Sequence, residues 1–435
     1  MSIATPNSTA AVSSDAPSSS YTGPLAVVTT LFFMWGFLTC LNDILVPHLK
    51  PIFDLNYKEV MLIQFAFFGA YFLFSIPSAR IIDWIGYQRS MVVGLLTMGA
   101  GAFLFVPAAS APSFPLFLVA LIVLAAGITC LQVAANPYVT VLGRPETASS
   151  RLNLTQAFNS LGTFLAPFFG GILILSAAPK TMEEIRALAP SALQAYRLHE
   201  AATVKMPYVG LGVALVVLAV AIGSFKLPKI PHAQHQIGEK VNDSIWRHPN
   251  LIFGAIAIFV YVGAEVSIGS FMVNYFSQPE IGGLTEKVAA SFVAFYWGGA
   301  MVGRFIGSAL LQKMSTRQLL GICAVCAAAL VAISMLSTGH AAMWSIILVG
   351  FFNSIMFPSI FTLGVAELGP LTGDGSGLLI MAIVGGAIIP LAQGAIADRI
   401  GIHHAFFLPV ICYVYILYFA LSGSKPNSER RAQPS

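Results

Sequence analysis

Glu265 stands near the middle of an almost unbroken apolar run, Leu251 to Phe276, and Asp43 stands in the first apolar run of the chain. A carboxylate in such a run must be neutralised, be paired, or face water inside the protein. Each acid can take up and release a proton, so the two together read as ion-coupling chemistry. Leu251 to Glu265 spans about 21 Å of helix, which sets Glu265 near the middle of a membrane. Amides and aromatics recur around these acids at helical spacing. Trp35, Thr39, Asn42 and Asp43 form one stripe, and Gln64, Phe68 and Tyr71 another. Gln132 and Asn136 are one turn apart, as are Tyr261 and Glu265, while Gln156, Asn159, Ser160 and Thr163 share a face. Asn274, Trp297 and Asn353 add to the later runs. An amide offers both donor and acceptor, as a ring of sugar hydroxyls requires. An aromatic face covers the C–H face of a pyranose. The pattern fits an uncharged polyol, because an anion site would want Lys or Arg deep in several runs and only Arg304 is so placed. The same amides serve equally well to join helices through interhelical hydrogen bonds.

The elements that must position these groups follow from composition. Of 435 residues, 57% are hydrophobic and 9% charged, against about 25% charged in a soluble domain. The apolar residues fall into twelve blocks, and a membrane helix needs about 20 residues. A spanning strand takes about 10 alternating residues, and these blocks are longer and do not alternate. The expectation is an all-α integral membrane protein of twelve transmembrane helices. Residues 227–250, rich in Pro, His, Lys, Glu and Asp, divide a six-helix bundle over 25–226 from another over 251–422. Two joined six-helix pseudo-repeats are the layout of a transporter. Residues 1–24 are rich in Ser, Ala, Thr and Pro and hold no Lys or Arg, so they read as a disordered tail rather than a secretory signal. Residues 423–435 form the second tail. Most Lys and Arg, among them Arg80, Arg144, Lys226, Arg247 and Lys313, share a side with both tails, which places both termini in the cytoplasm. The net charge of +4 then reflects topology, with membrane lipid as neighbour and no nucleic acid as partner. The long loop 177–207 is expected to hold short amphipathic pieces broken by Pro190. Cys323-x-x-Cys326 has no second pair and no His nearby, so it reads as packed core. No helix carries paired His at ligand spacing, which speaks against a metal site and a membrane-embedded enzyme. His232, His235, His403 and His404 fall in loops and are expected in water.

Two sets of motifs carry a resemblance. Ala79-Arg80-Ile81-Ile82-Asp83-Trp84-Ile85-Gly86-Tyr87-Gln88-Arg89 matches the cytoplasmic signature of the major facilitator superfamily, with Ala79 where Gly is usual. Asp83 and Arg89 are therefore expected at a gate, Asp83 pairing with an arginine or capping a neighbouring helix. Gly303-Arg304-Phe305-Ile306-Gly307 gives the second half a small-residue packing face with a charge, and Arg304 joins the gating set. Phe32-Phe33-Met34-Trp35-Gly36-Phe37, Leu41-Asn42-Asp43-Ile44-Leu45, Ala134-Ala135-Asn136-Pro137-Tyr138, Arg151-Leu152-Asn153-Leu154-Thr155-Gln156 and Tyr261-Val262-Gly263-Ala264-Glu265 resemble the fucose–galactose–glucose:proton symporter family, from about Leu31 to Phe419. The resemblance implies the major facilitator fold, a central sugar cavity and alternating access driven by a proton, in the inner membrane of a bacterium. It implies no cofactor beyond the coupling ion, with sodium the lesser choice, and a monomer is expected. Asp43 matches an aspartate implicated in the family's fucose permease. Gln132 stands where that permease has a glutamate, and Glu265 where it has a glutamine. The departure points to the glucose/galactose branch or to the N-acetylglucosamine permeases, and leaves open which acid carries the proton. A fucose permease, an uncoupled facilitator and a sugar sensor are the alternatives.

Overall fold

The computed structural model describes residues 21–53, 57–110, 113–174, 187–203, 205–228 and 243–432. In the first half run α1 (Thr22–Phe53), α2 (Tyr57–Ile85), α3 (Tyr87–Ser110), α4 (Phe114–Val141), α5 (Ala148–Ile174), α6 (Pro190–Thr203) and α7 (Lys205–Ser224). In the second run α8 (Pro249–Phe276), α9 (Glu286–Leu310), α10 (Thr316–Leu336), α11 (Gly339–Asn353), α12 (Met356–Gly364), α13 (Thr372–Met381), α14 (Gly385–Ile400), α15 (Ile402–Ala405), α16 (Phe407–Tyr418) and α17 (Asn427–Ala432). Every apolar block is helical, and the described residues contain no strand. Eleven helical stretches are long and apolar enough to cross a membrane, and α5 covers the remaining block with 27 residues. Leu73, Val217, Leu336 and Leu421 stand exposed on the outside of the bundle, as a surface bathed in hydrocarbon allows.

Within the first half α3 packs on α4 and α7, and α1 on α5; within the second, α9 and α10 pack on α11, and α8 on α14. The halves meet where α5 lies on α9 and α2 lies on α13. The sharp α2–α3 turn is made by Gly86 at φ 81°, a conformation that a side chain would strain. Helices α2 to α5 run on through internal prolines at 77, 107, 137 and 167. The second half departs from one helix per block. Its tenth block breaks at Ser354–Ile355, its eleventh passes through a 3-10 turn at Ala382–Val384, and its twelfth ends in a π turn at Phe419–Gly423. Proline lacks the N–H that would bond the carbonyl four residues back. Pro358 therefore releases the Ser354 carbonyl just at the break.

Pro190 opens α6 at the first helical position, to which a proline is well suited. Residues 182–186, the 1–20 part of the tail and the linker residues 229–242 lie outside the described residues. At the far end of the chain, Arg317 of α10 grips both Glu429 oxygens, at 2.5 and 2.9 Å.

Candidate substrate and coupling site

In the first half the buried amides bond to one another and to neighbouring helices. Gln132 Nε2 donates to Tyr71 Oη at 2.7 Å, joining α4 to α2. Gln156 Nε2 donates to Asn136 Oδ1 at 3.2 Å, joining α5 to α4. Asn136 is fully buried, and its Nδ2 has no partner among the described residues. A buried donor left over in this way is costly, and it is the group best suited to receive a sugar hydroxyl. Asn159 is different: its Nδ2 donates to the Phe32 carbonyl at 2.9 Å and so ties α5 to α1. Trp35, on α1, is buried with its ring edge-on to Phe32. The side chains of Asn42, Asp43 and Gln64 lie outside the described residues.

The second half holds a titratable cluster instead. Tyr261 Oη donates to Glu265 Oε1 at 2.7 Å and lies 3.1 Å from the Asn353 carbonyl. Asn353 Nδ2 donates to Tyr296 Oη at 2.8 Å. Glu265 is partly exposed as a residue, while its phenol partner is buried. Trp297 is 45% exposed, and its ring comes within 3.5 Å of where a Cβ on Gly269 would stand. Gly269 is one turn beyond Glu265, so the indole of α9 lies against the face of α8 that carries the carboxylate. Asn274, near the end of α8, is exposed and stands apart from this cluster.

Arg304 connects the two halves. Its Nε donates to the Ser354 carbonyl at 3.2 Å, the acceptor that Pro358 leaves free. Its Nη1 reaches the Gln156 carbonyl at 3.5 Å and the Ser160 hydroxyl of α5. Its charge also acts on Glu265. Around it the halves are joined at the end of the bundle that carries the linker. Asn153 Nδ2 donates to the Arg304 carbonyl at 2.7 Å, Ser149 Oγ meets Thr362 Oγ1 at 2.6 Å, and Ser308 Oγ donates to the Ser150 carbonyl at 3.0 Å. Ser376 Oγ donates to the Val133 carbonyl at 2.9 Å. That carbonyl is the one released by Pro137, so the Asn136-Pro137 step supplies an acceptor for the opposite half.

The expected gating residues divide. Asp83 Oδ1 comes within 3.7 Å of where a Cβ on Gly373 would stand, at the start of α13 in the opposite half. A carboxylate is stabilised near a helix N-terminus, and Asp83 lies beside the first turn of α13. Arg89 is exposed, on the rim of a cleft of about 270 Å³ shared with Asp83, Trp84, Tyr138 and Pro228. His403 and His404 stand in the short helix α15 rather than in a loop, and His404 is exposed as expected. His403 is not solvated: it is partly buried, with Nε2 2.6 Å from the Met335 carbonyl and Nδ1 3.1 Å from Tyr275 Oη. The carbonyls at the end of α10 lack helical donors, and this histidine supplies one. Cys323 and Cys326 are free thiols. The sequence reading passed over Tyr296, Ser376 and Gln393. Gln393, in α14, is fully buried with both side-chain atoms unpartnered among the described residues. The signal that picked out Gln132, an amide in an apolar block, was present for Gln393 too.

A twelve-block helical bundle in two halves, closed at one end around an interior set of amides, aromatics and a carboxylate, is the build of a membrane transporter. The chain belongs to the major facilitator superfamily, whose model matches residues 25–383, and is a transporter rather than an enzyme. The glucose/galactose transporter of Brucella abortus biovar 1 (strain 9-941) is 54% identical over 401 residues, covering 92% of this chain and 94% of its own. The L-fucose-proton symporter of Escherichia coli (strain K12) is 35% identical over 418 residues, covering 94% and 95%. The crystal structure of the transporter FucP in the outward conformation superposes with a TM-score of 0.87 at 34% identity, covering 93% of this chain and 99% of that one.

Proposed function

We propose that this chain is a secondary active sugar transporter that imports a neutral hexose, glucose or galactose first, by proton symport with alternating access. The observation that carries the reading is the partly exposed Glu265, bonded to Tyr261 and within the field of Arg304, which reaches the helix bearing the Gln156–Asn136 pair. A carboxylic acid can be sealed from water cheaply only when neutral. A state closed around sugar therefore favours the protonated acid, and the two ligands drive one transition. The Brucella relative named for glucose and galactose supports the substrate class, and the Escherichia relative named for fucose and a proton supports the coupling ion. Asp43 shares the proton-linked work in this reading. The chain sits as a monomer among the lipids of a bacterial inner membrane, with the linker and both termini on the cytoplasmic side, following the bias of Lys and Arg.

The test uses purified protein in vesicles. Counterflow of labelled glucose, galactose, N-acetylglucosamine and fucose identifies the sugar. Accumulation driven by a proton gradient, compared with a sodium gradient, identifies the ion. Glu265→Gln is expected to keep counterflow and lose accumulation by more than about tenfold, a loss of about 1.4 kcal/mol or more in coupling. Asp43→Asn is expected to be at least as damaging. Competition by organic ions alone would overturn the substrate class, and undiminished accumulation in both variants would overturn the coupling mechanism.

A further inference from the structure

We infer that Arg304 is the positioning residue through which Glu265 controls the contact between the halves: the ionised acid holds the guanidinium on α5, and the neutral acid releases it. The inference rests on the reading of Glu265 as a proton site.

A short bonded path joins the two groups. Glu265 accepts from Tyr261 Oη, and the same hydroxyl lies 3.1 Å from the Asn353 carbonyl. The next carbonyl along the chain, that of Ser354, accepts from Arg304 Nε. The far end of the guanidinium reaches Ser160 and the Gln156 carbonyl. Both carbonyls lie at the break between α11 and α12, so the break is the shared element. The backbone of Arg304 is fixed from two sides. Asn153 holds its carbonyl, and a Cβ on neighbouring Gly303 would stand 2.5 Å from both Ser354 Oγ and the Phe351 carbonyl. The side chain is the part left to respond.

The charges around the acid fit this role. The titratable groups acting on one another around Glu265 are Tyr261 on its own helix, Tyr296 and Arg304 from α9, and Tyr413 from α16. Arginine stays charged, so Glu265 is the member whose charge changes with a proton. An ionised Glu265 attracts the guanidinium and keeps it at the break, within reach of α5. Neutralising the acid removes that attraction and frees the single Tyr261 proton to bond the Asn353 carbonyl alone. Sugar acts on the same helix, because the Gln156 side chain holds Asn136 while its carbonyl faces Arg304. Proton and sugar thus converge on α5, and both loosen the linker-end contact.

The experiment measures how often the linker end is open. Spin labels on Trp84→Cys and Lys313→Cys, two exposed positions on opposite halves, are placed in a chain whose five native cysteines are alanine. Their distance distribution is recorded across pH. Lowering pH is expected to raise the open population about five- to tenfold, the usual size of an allosteric coupling. Arg304→Gln is expected to flatten that response to below about twofold, and Arg304→Lys, which keeps the charge without the fork, to retain part of it. A merely structural Arg304 would shift the open population by one factor at every pH, and an intact pH response in Arg304→Gln therefore overturns the inference. If Arg304→Gln does not fold, Tyr261→Phe decides: a weakened response supports the path, an unchanged one overturns it. Glu265→Gln separates this inference from the reading beneath it. A full response in Glu265→Gln sinks both. A flat response there with a full one in Arg304→Gln sinks the Arg304 path alone. No response in the unsubstituted chain also overturns it.

Discussion

The fourth and tenth blocks occupy corresponding places in the two six-helix halves, and each uses a proline to release one carbonyl. In α4 the helix runs straight on through Pro137, and the released Val133 carbonyl takes a neutral hydroxyl from Ser376. In the tenth block the helix parts at Ser354–Ile355, and the released Ser354 carbonyl takes the guanidinium of Arg304. The surroundings differ in the same sense. Amides pair with amides in the first half, while a carboxylate, tyrosines and an arginine gather in the second. One backbone device thus serves a neutral contact in one half and a charged one in the other; in the proposed mechanism sugar recognition falls chiefly to the first half and charge sensing to the second.

Restoring the missing N–H is the strongest way to break that contrast. Pro358→Ala returns a helical partner to the Ser354 carbonyl and competes with a charged bond, worth about 1.5–3 kcal/mol. It is expected to slow proton-driven uptake by about tenfold or more, whereas Pro137→Ala, competing with a neutral bond, is expected to slow it by about fivefold or less. Equal effects in vesicle uptake would erase the distinction. The next effect separates affinity from coupling. Asn136→Ala and Gln156→Ala are each expected to weaken sugar binding about two- to tenfold with the pH profile of uptake unchanged. Tyr261→Phe is expected to do the reverse. Normal affinity in both amide variants would make those amides packing contacts. Ser376→Ala removes one neutral bond between halves and is expected to cost about 1 kcal/mol of the closed state, read as a shift in the spin-label distances at every pH alike. The smallest effect lies at the edge of the charged half. The hydrogen bond from Arg317 holds the Glu429 carboxyl below its usual range. That contact stabilises the last segment above the unfolded value of about 4.3 and is lost as pH falls through the lower folded value. Hydrogen exchange of residues 427–429 is expected to quicken only in that acid window, and Glu429→Gln is expected to remove the pH dependence.

The membrane bundle was legible because apolar blocks of spanning length leave a helix as the only local solution. The Tyr261–Glu265 bond was legible too, since one turn of helix brings the two side chains together. Pairing across helices was not. The spacing of Gln156, Asn159, Ser160 and Thr163 put them on one face, yet they serve α4, α1 and α9 by turns. A buried amide must find a partner, and its own sequence does not say whether that partner is a ligand, a side chain or a carbonyl. The break at Ser354–Ile355 escaped notice because its cause, Pro358, acts on a carbonyl four residues earlier, and the gain appears only when Arg304 arrives from α9. Tyr296 was overlooked because an aromatic in an apolar block looks like core until Asn353 is seen to reach it.

Apart from Arg304 and Asp83, the linker-end contact is made of hydroxyls, an amide and carbonyls: Ser149 with Thr362, Ser150 with Ser308, Asn153 with a backbone oxygen and Ser376 with another. Dissolved ions screen exposed charges within about 10 Å at 0.1 M salt, but they barely touch buried neutral dipoles. A gate built this way keeps its strength when the osmolarity and salt content of the surroundings swing.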